Sequence, residues 1–287
     1  MSAPPRLAVL FNTDYDPTAG AADAAAVAGC ARAVADVLEA GGALVDRIGV
    51  AGRDVLPVLE RLAADRPALV WNLCESMAGD ARNEPTFVGL LDLFGVPYTG
   101  ADLLCLASCL HKPRAKDVLI ARGIPTPPHR TLATEAELAD PALASLDYPW
   151  FVKLAHEDAS IGITEANLVR SADELRARVR ALWASYHQPV IAERYVDGRE
   201  LNVTLIGNDD DLVVLPIHEI DFAAMPADRP HIVSYAAKWD EAHVDYAGTK
   251  PVPLRAAAPA LVAAAERVAR ATWAALGLRD YGRVDLR

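Results

Sequence analysis

The sequence predicts an α/β chain that opens with a parallel-sheet, Rossmann-like domain and continues into smaller α+β units. Three observations predict it. Apolar runs of strand length at residues 7–11, 43–50 and 68–73 alternate with helix-compatible stretches at 21–40 and 53–64, the β-α-β rhythm of a parallel sheet covered on both faces. The run Gly123-Ile124-Pro125-Thr126-Pro127-Pro128 clusters prolines that exclude helix and favour extended backbone, which marks a hinge. Beyond it a small α+β unit is read, with strands at 150–153 and 162–169 flanking a loop of small residues.

Composition bounds the possibilities. A chain of 287 residues with 52% hydrophobic content can build two or three packed subdomains. The Ala-rich runs are too short to cross a membrane, because Asp23, Arg32 and Asp36 interrupt the first and Arg255, Glu266 and Arg270 the last. Residues 1–6 lead straight into a strand without the features of an export signal, so a cytoplasmic protein is expected. A formal charge of -11 argues against sequence-independent nucleic-acid binding, and any anionic ligand must meet a local cationic pocket. Cys30, Cys74, Cys105 and Cys109 lack paired metal spacing and read as core thiols, and the histidines form no HExxH-type pattern.

Along the first domain, Gly41-Gly42 ends the Ala-rich helix, and the loops beyond the first and third strands, residues 12–18 and 72–83, lie where parallel sheets bind ligands. The second loop carries Asn72, Glu75, Gly79, Asp80, Arg82 and Glu84, either to contact a substrate or as an ordinary solvated loop. Pro85 opens a helix, residues 95–100 turn the chain, and a further helix carries His111 and Lys112 in its middle, where a lysine is usually solvated. Residues 134–146 are helix-compatible apart from Pro141. Ser171 and Glu174 form a capping box for a helix running to about residue 186.

The stretch YPWFVKLAHEDASIGIT is the centre of the chain. Trp150, Phe151 and Val152 form a buried strand that delivers Lys153 to the head of a loop, where Ala159, Ser160 and Gly162 let backbone N–H groups and a hydroxyl approach phosphate oxygens. An ordinary hairpin has the same outline. The next strand, 189–192, ends in Glu193-Arg194-Tyr195-Val196, whose backbone and carboxylate could read the edge of an adenine, and Glu200 could accept from ribose hydroxyls. Glu193 and Glu200 also suit plain edge-strand charges.

Together these pieces resemble the ATP-grasp superfamily, in particular D-alanine:D-alanine ligases and similar carboxylate-amine ligases. The resemblance spans residues 7–287 and rests on LLDLFGVPYTG before a helix with Lys112, RGIPTPPH, FVKLAHEDASIGI, ERYVDGRELNV, SYAAKW and GLRDYGRVDLR. It implies an ATP-grasp fold: an N-terminal domain over residues 1–110, a central ATP-grasp subdomain over 111–190 and a C-terminal one over 191–287, the last two clamping ATP. It implies that Lys112 and Lys153 flank the nucleotide phosphates, that Ser160 and Gly162 belong to the phosphate-covering loop, and that Glu193, Arg194, Tyr195 and Val196 form the adenine-reading hinge. Glu200 matches the ribose carboxylate, Lys238 a further phosphate lysine with a part in catalysis, Arg283 the arginine that steadies the acyl-phosphate and tetrahedral species, and Asp285 a ligand for magnesium or manganese. Lids are expected in the loop around Ser160 and in residues 225–248.

The implied activity is ADP-forming amide or peptide bond formation between small-molecule carboxylate and amine substrates through an acyl phosphate, and the resemblance leaves room for a homodimer. The chain departs from D-alanine-specific members at NTDYDPTAG and CESMAGDARNEP, and it has His111-Lys112 where an Asp-Lys pair is frequent. It ends two residues after Asp285, short of the Glu-x-Asn strand implied to complete the metal site. The expectation is therefore either a fragment or a sequence that omits a disordered or removed C-terminus, and a catalytically silent ATP-binding module is the alternative to a ligase.

Overall fold

The computed structural model describes residues 3–14 and 21–287, and the chain divides into two compact units, 1–107 and 108–287. In the first unit, β1 (Arg6–Asn12), α1 (Ala21–Ala40), β2 (Leu44–Val50), α2 (Val55–Asp65) and β3 (Leu69–Leu73) build a parallel sheet of order β2-β1-β3. Strand alternation divides β1 between two layers. Ala8 and Leu10 pack with Leu59 of α2 and with Phe87 and Leu91 of α3 (Glu84–Leu93), whereas Val9 meets Ala31 and Ala35 of α1, whose small side chains permit close approach to the sheet. Asn12 is buried at the carboxyl end of β1, donating to Ser76 Oγ (2.9 Å) and accepting from the Glu75 N–H (3.2 Å). The turn expected over residues 12–20 lies mostly outside the described residues.

The expected single helix around Lys112 is two helices, α4 (Leu103–Leu110) and α5 (Lys112–Ala121). His111, at φ -84° and ψ 80°, breaks the register, and Pro113 suits only the first turn of a new helix. Lys112 therefore stands at a helix start.

In the second unit, β4 (His129–Leu132), α6 (Glu135–Leu138), β5 (Trp150–Leu154), β6 (Leu168–Val169), α7 (Ala172–Tyr186) and β7 (Val190–Arg194) follow α5, and the strands form an antiparallel sheet of order β4-β7-β5-β6. Trp150, Val152 and Leu154 alternate onto its inner face, where Leu175, Val179 and Leu182 of α7 meet them with helical spacing. A second antiparallel sheet runs β11-β10-β8-β12, from β8 (Glu200–Ile206), β9 (Val213–Val214, beside β8), β10 (His218–Asp221), β11 (Lys250–Pro253) and β12 (Tyr281–Leu286). The short helices α8 (Tyr235–Trp239) and α9 (Val244–Gly248) lie between β10 and β11 in sequence. Helix α10 (Pro259–Leu276) packs Ala265, Ala269 and Trp273 against Leu201, Val203, Leu205 and Val284, and ends at left-handed Gly277, whose N–H bonds the Trp273 carbonyl (3.0 Å).

Four local expectations are corrected. Residues 134–146 form only the short α6 and a 3-10 turn over Pro141–Ser145, because Asp140 caps a new start at Pro141. Of the strand expected over 162–169 only β6 exists. Ala159, Ser160 and Gly162 have φ of 50°, 62° and 71°, which no ladder accepts, and the buried Asn167 side chain takes the local bonds instead, accepting from the Thr164 N–H (2.8 Å) and donating to the Val152 (2.5 Å) and Gly162 (3.1 Å) carbonyls. Ser171 caps α7 through the Glu174 N–H (3.2 Å), but Glu174 reaches back to the Arg170 N–H (2.7 Å) rather than closing the box. Cys74 and Cys105 are core thiols, whereas Cys30 and Cys109 are exposed.

Replacing Asn167 by alanine leaves buried carbonyls and an N–H without these partners. It is expected to lower stability by on the order of 3 kcal/mol, read as a drop in the urea midpoint at unchanged slope.

Candidate functional site

A cavity of about 650 Å³ opens in the second unit between residues of both antiparallel sheets. Strand β5 contributes the face opposite its core side chains, so that Phe151 and Lys153 line the cavity while Val152 is fully buried. On β7, Glu193 is the cross-strand partner of Phe151 and shares that face. Its carboxylate lies between two lysines, 2.6 Å from Lys153 Nζ and 3.0 Å from Lys116 Nζ, and Lys116 also donates to Thr126 Oγ1 (2.7 Å). Burial by itself would raise the Glu193 pKa, but the two ammonium groups outweigh it and hold the carboxyl at about 2. Burial lowers the pKa of Lys116 and of Lys112, against the pull of Glu193 on the first and Asp158 on the second. At the head of α5, Lys112 donates to the Glu157 carbonyl and pairs with Asp158 (3.2 Å), which aims it at the loop after β5.

The floor is a second case of strand alternation. On β12, Val284 and Leu286 enter the core, so Arg283 and Asp285 share the other face, opposite Thr204 and Asn202 of β8. Asp285 Oδ1 is 2.7 Å from Arg283 Nε and accepts from Asn202 Nδ2 at 2.8 Å. Glu200 pairs with Arg287 at 2.6 Å, and the Arg287 guanidinium lies 5.1 Å from the Tyr195 ring centre and donates to the Val196 carbonyl (3.2 Å). Lys238, on α8, also lines the cavity. Burial and the charge of Arg283 lower its pKa, opposed by Asp285.

Of the residues predicted from sequence, Lys112, Lys153, Ser160, Glu193, Arg194, Tyr195, Val196, Glu200, Lys238, Arg283 and Asp285 all line this one cavity. Gly162 does not. It makes a left-handed turn, and an added Cβ there would come within 3.2 Å of Leu154 and Tyr186 side-chain atoms. The hinge is partly engaged within the protein: the Arg194 and Tyr195 N–H groups donate to the Pro128 (2.9 Å) and Pro149 (3.0 Å) carbonyls, and the Arg194 side chain pairs with Asp147 (2.6 Å). Glu193, expected in the adenine-reading hinge, has both carboxylate oxygens engaged by lysines. Sequence reasoning missed Lys116, Asn202 and Arg287. Asn202 and Arg287 fall at the i+2 spacing from Glu200 and Asp285 that shares a strand face, a signal that was present. Lys116, one helical turn after Lys112, had none that distinguished it from a solvated lysine.

The family model for the D-ala D-ala ligase C-terminus matches residues 118–287, more than half of the chain. The chain belongs to the D-alanine–D-alanine ligase family. It is 33% identical to a D-alanine–D-alanine ligase of Stutzerimonas stutzeri over 257 residues, covering 88% of this chain and 72% of the relative. With a ligase of the same name from Pseudomonas putida it shares 33% over 175 residues, 59% of this chain but only 52% of that protein. The chain thus spans about half to two thirds of the length of several curated relatives. Its ATP-grasp fold resembles that of a D-alanine–D-alanine ligase of Bacillus anthracis complexed with ATP (TM-score 0.71, 20% identity, 98% of this chain and 81% of that one). A D-Ala:D-Ser ligase of Enterococcus faecalis is similarly related (TM-score 0.69, 20% identity, 98% and 85%).

The buried triad has a pH signature. Because folding depresses the Glu193 pKa from near 4.5 to about 2, its stabilisation is complete above roughly pH 4.5 and is lost as pH falls toward 2. The pKa difference corresponds to on the order of 3 kcal/mol. Glu193→Gln, which leaves Lys116 and Lys153 without their counter-charge, should be less stable than wild type at pH 7, and the gap in urea midpoint should close as pH falls toward 2.

Proposed function

We propose that this ligase-family chain binds ATP in the cavity and serves an ADP-forming carboxylate-amine ligase that works through an acyl phosphate. The observation that carries this reading is the convergence of Lys112, Lys116, Lys153, Lys238 and Arg283, from four separate elements, on one cavity beside Asp285. Against a formal charge of -11, this cluster gives the local cationic potential that an anionic ligand would need. The volume suits a nucleotide, and Phe151, Ile220 and Ile232 add apolar wall for a base.

The chemistry requires these charges. A carboxylate oxygen attacks the γ-phosphorus and the bond to the β-phosphate oxygen breaks, so two anions must be brought together and ADP must leave. The lysines and Arg283 screen that repulsion. An amine then attacks the acyl carbon, and phosphate departs carrying the former carboxylate oxygen. Asp285 is a hard oxygen ligand at the cavity wall. Although no group of three or more acidic, His or Cys side chains suited to a metal exists among the described residues, magnesium is commonly held by one or two carboxylates together with phosphates and water, so Asp285 fits it. Such an ion, or manganese, would neutralise charge developing on the phosphates. Water must be kept from the activated acid. Ser160 Oγ donates to the Val233 carbonyl (3.0 Å) and Trp239 Nε1 to the Ala159 carbonyl (3.3 Å), which supports a covering role for both segments.

With the full-length protein, ATP and a broad panel of amino-acid pairs, phosphate release should require both acid and amine, and an ¹⁸O-labelled acid should pass one label to the released phosphate. ATP-induced thermal stabilisation without any acid- and amine-dependent release would instead support a silent nucleotide-binding module. Lys153→Met should weaken ATP binding by roughly 10- to 100-fold, as loss of a charge-assisted contact does, whereas Ser171→Ala should cost about 1 kcal/mol of stability and leave the affinity within about twofold, by calorimetric titration.

A further inference from the structure

One buried carboxylate takes no part in the chemistry above. Asp245, at the start of α9, is 4% exposed and does not line the cavity. A desolvated carboxylate is tolerated only when fully paired, and Asp245 is: Oδ1 lies 2.5 Å from Arg229 Nη1, and Oδ2 accepts from Ser234 Oγ at 2.6 Å. Thr249 Oγ1 donates to the Asp245 carbonyl (2.8 Å), and His243 Nδ1 accepts the Asp245 N–H (3.1 Å).

The two side-chain partners of its carboxylate lead toward the cavity. Ser234, itself buried, accepts from the Ala237 N–H (3.1 Å) and so caps α8, the helix that carries Lys238. Arg229 Nη1 also lies 2.6 Å from Glu165, just beyond the loop around Ser160. The Tyr235 N–H, the first of α8, donates to the Ile163 carbonyl of that loop (3.0 Å). A five-residue helix has too few internal hydrogen bonds to hold itself, so its position is set by these contacts.

We propose that Asp245 is a positioning residue for the nucleotide site: through Ser234 it fixes the start of α8, and through Arg229 and Glu165 it ties that helix to the loop over the cavity, holding Lys238 at the cavity wall. The inference rests on the reading of Lys238 as a nucleotide-binding lysine. Without Asp245 the cap hydroxyl and the guanidinium lose their shared anchor, and Lys238 can no longer be presented at a defined place.

The test is a double-mutant cycle on ATP affinity, measured by calorimetry on the full-length protein with magnesium, with melting curves to establish folding. Lys238→Met should weaken binding about tenfold or more and Asp245→Asn about fivefold, and the double variant should bind within about twofold of Lys238→Met, because the positioning residue has nothing left to position. Wild-type affinity in Asp245→Asn, or losses that multiply in the double variant, would overturn the inference. If Asp245→Asn does not fold, Glu165→Gln, a change at a half-exposed side chain, carries the same comparison alone and combined with Lys238→Met. Wild-type affinity in Lys238→Met would overturn the nucleotide reading of that lysine itself, an outcome separable from failure of the Asp245 link.

Discussion

The buried carboxylate of Glu193 between Lys116 and Lys153 is the constraint on which the cavity depends. Each lysine is largely desolvated, and two ammonium groups this close would repel each other strongly without an anion between them. Glu193 makes their proximity tolerable and leaves one net positive charge in the triad. It also joins a helix, α5, to two adjacent strands of a sheet, so the same contact that supplies cationic potential sets the geometry of the wall. The Lys116 bond to Thr126 extends the triad to the proline-rich hinge segment.

The period of two along a strand divides labour across both sheets. Residues of one parity on β5 and β12 build hydrophobic cores against α7 and α10, and residues of the other parity carry the charges. Rigidity therefore comes from the same strands that present the polar groups, and no separate scaffold is needed. Arg283 and Asp285 are held against each other, with Asn202 across the ladder fixing the carboxylate. Such a pair keeps a charged group available at a partly exposed wall without burying it alone. The loop around Ser160 and the segment over residues 225–248 follow a different logic. They are short helices and turns held in part by polar links, among them the buried Asn167 side chain and the buried Asp245 network.

Much of the fold was legible in the sequence. The β-α-β alternation of the first unit, the helices α1 and α7, and the strand that ends in Lys153 follow from apolar periodicity and capping residues, and nearly all the predicted site residues meet in one cavity. The errors have local physical causes. His111 ends one helix because Pro113 must begin another. Asn167 satisfies backbone groups that a strand would have used, in a loop whose left-handed residues no ladder accepts. Gly162, expected in the phosphate-covering loop, lies off the cavity lining and packs closely against Leu154 and Tyr186.

By itself the sequence determined which residues were polar at strand ends, where helices begin, and the ordered motifs that mark an ATP-grasp ligase-family chain. Only the tertiary structure decided which charges neutralise one another. Glu193 and Lys153 are 40 residues apart, and Arg229 joins Asp245 to Glu165 across two loops. A one-dimensional pattern records side-chain type and spacing, whereas the strength of an ion pair depends on distance and on how completely folding strips water from both partners. Those two quantities exist only once the chain has closed on itself.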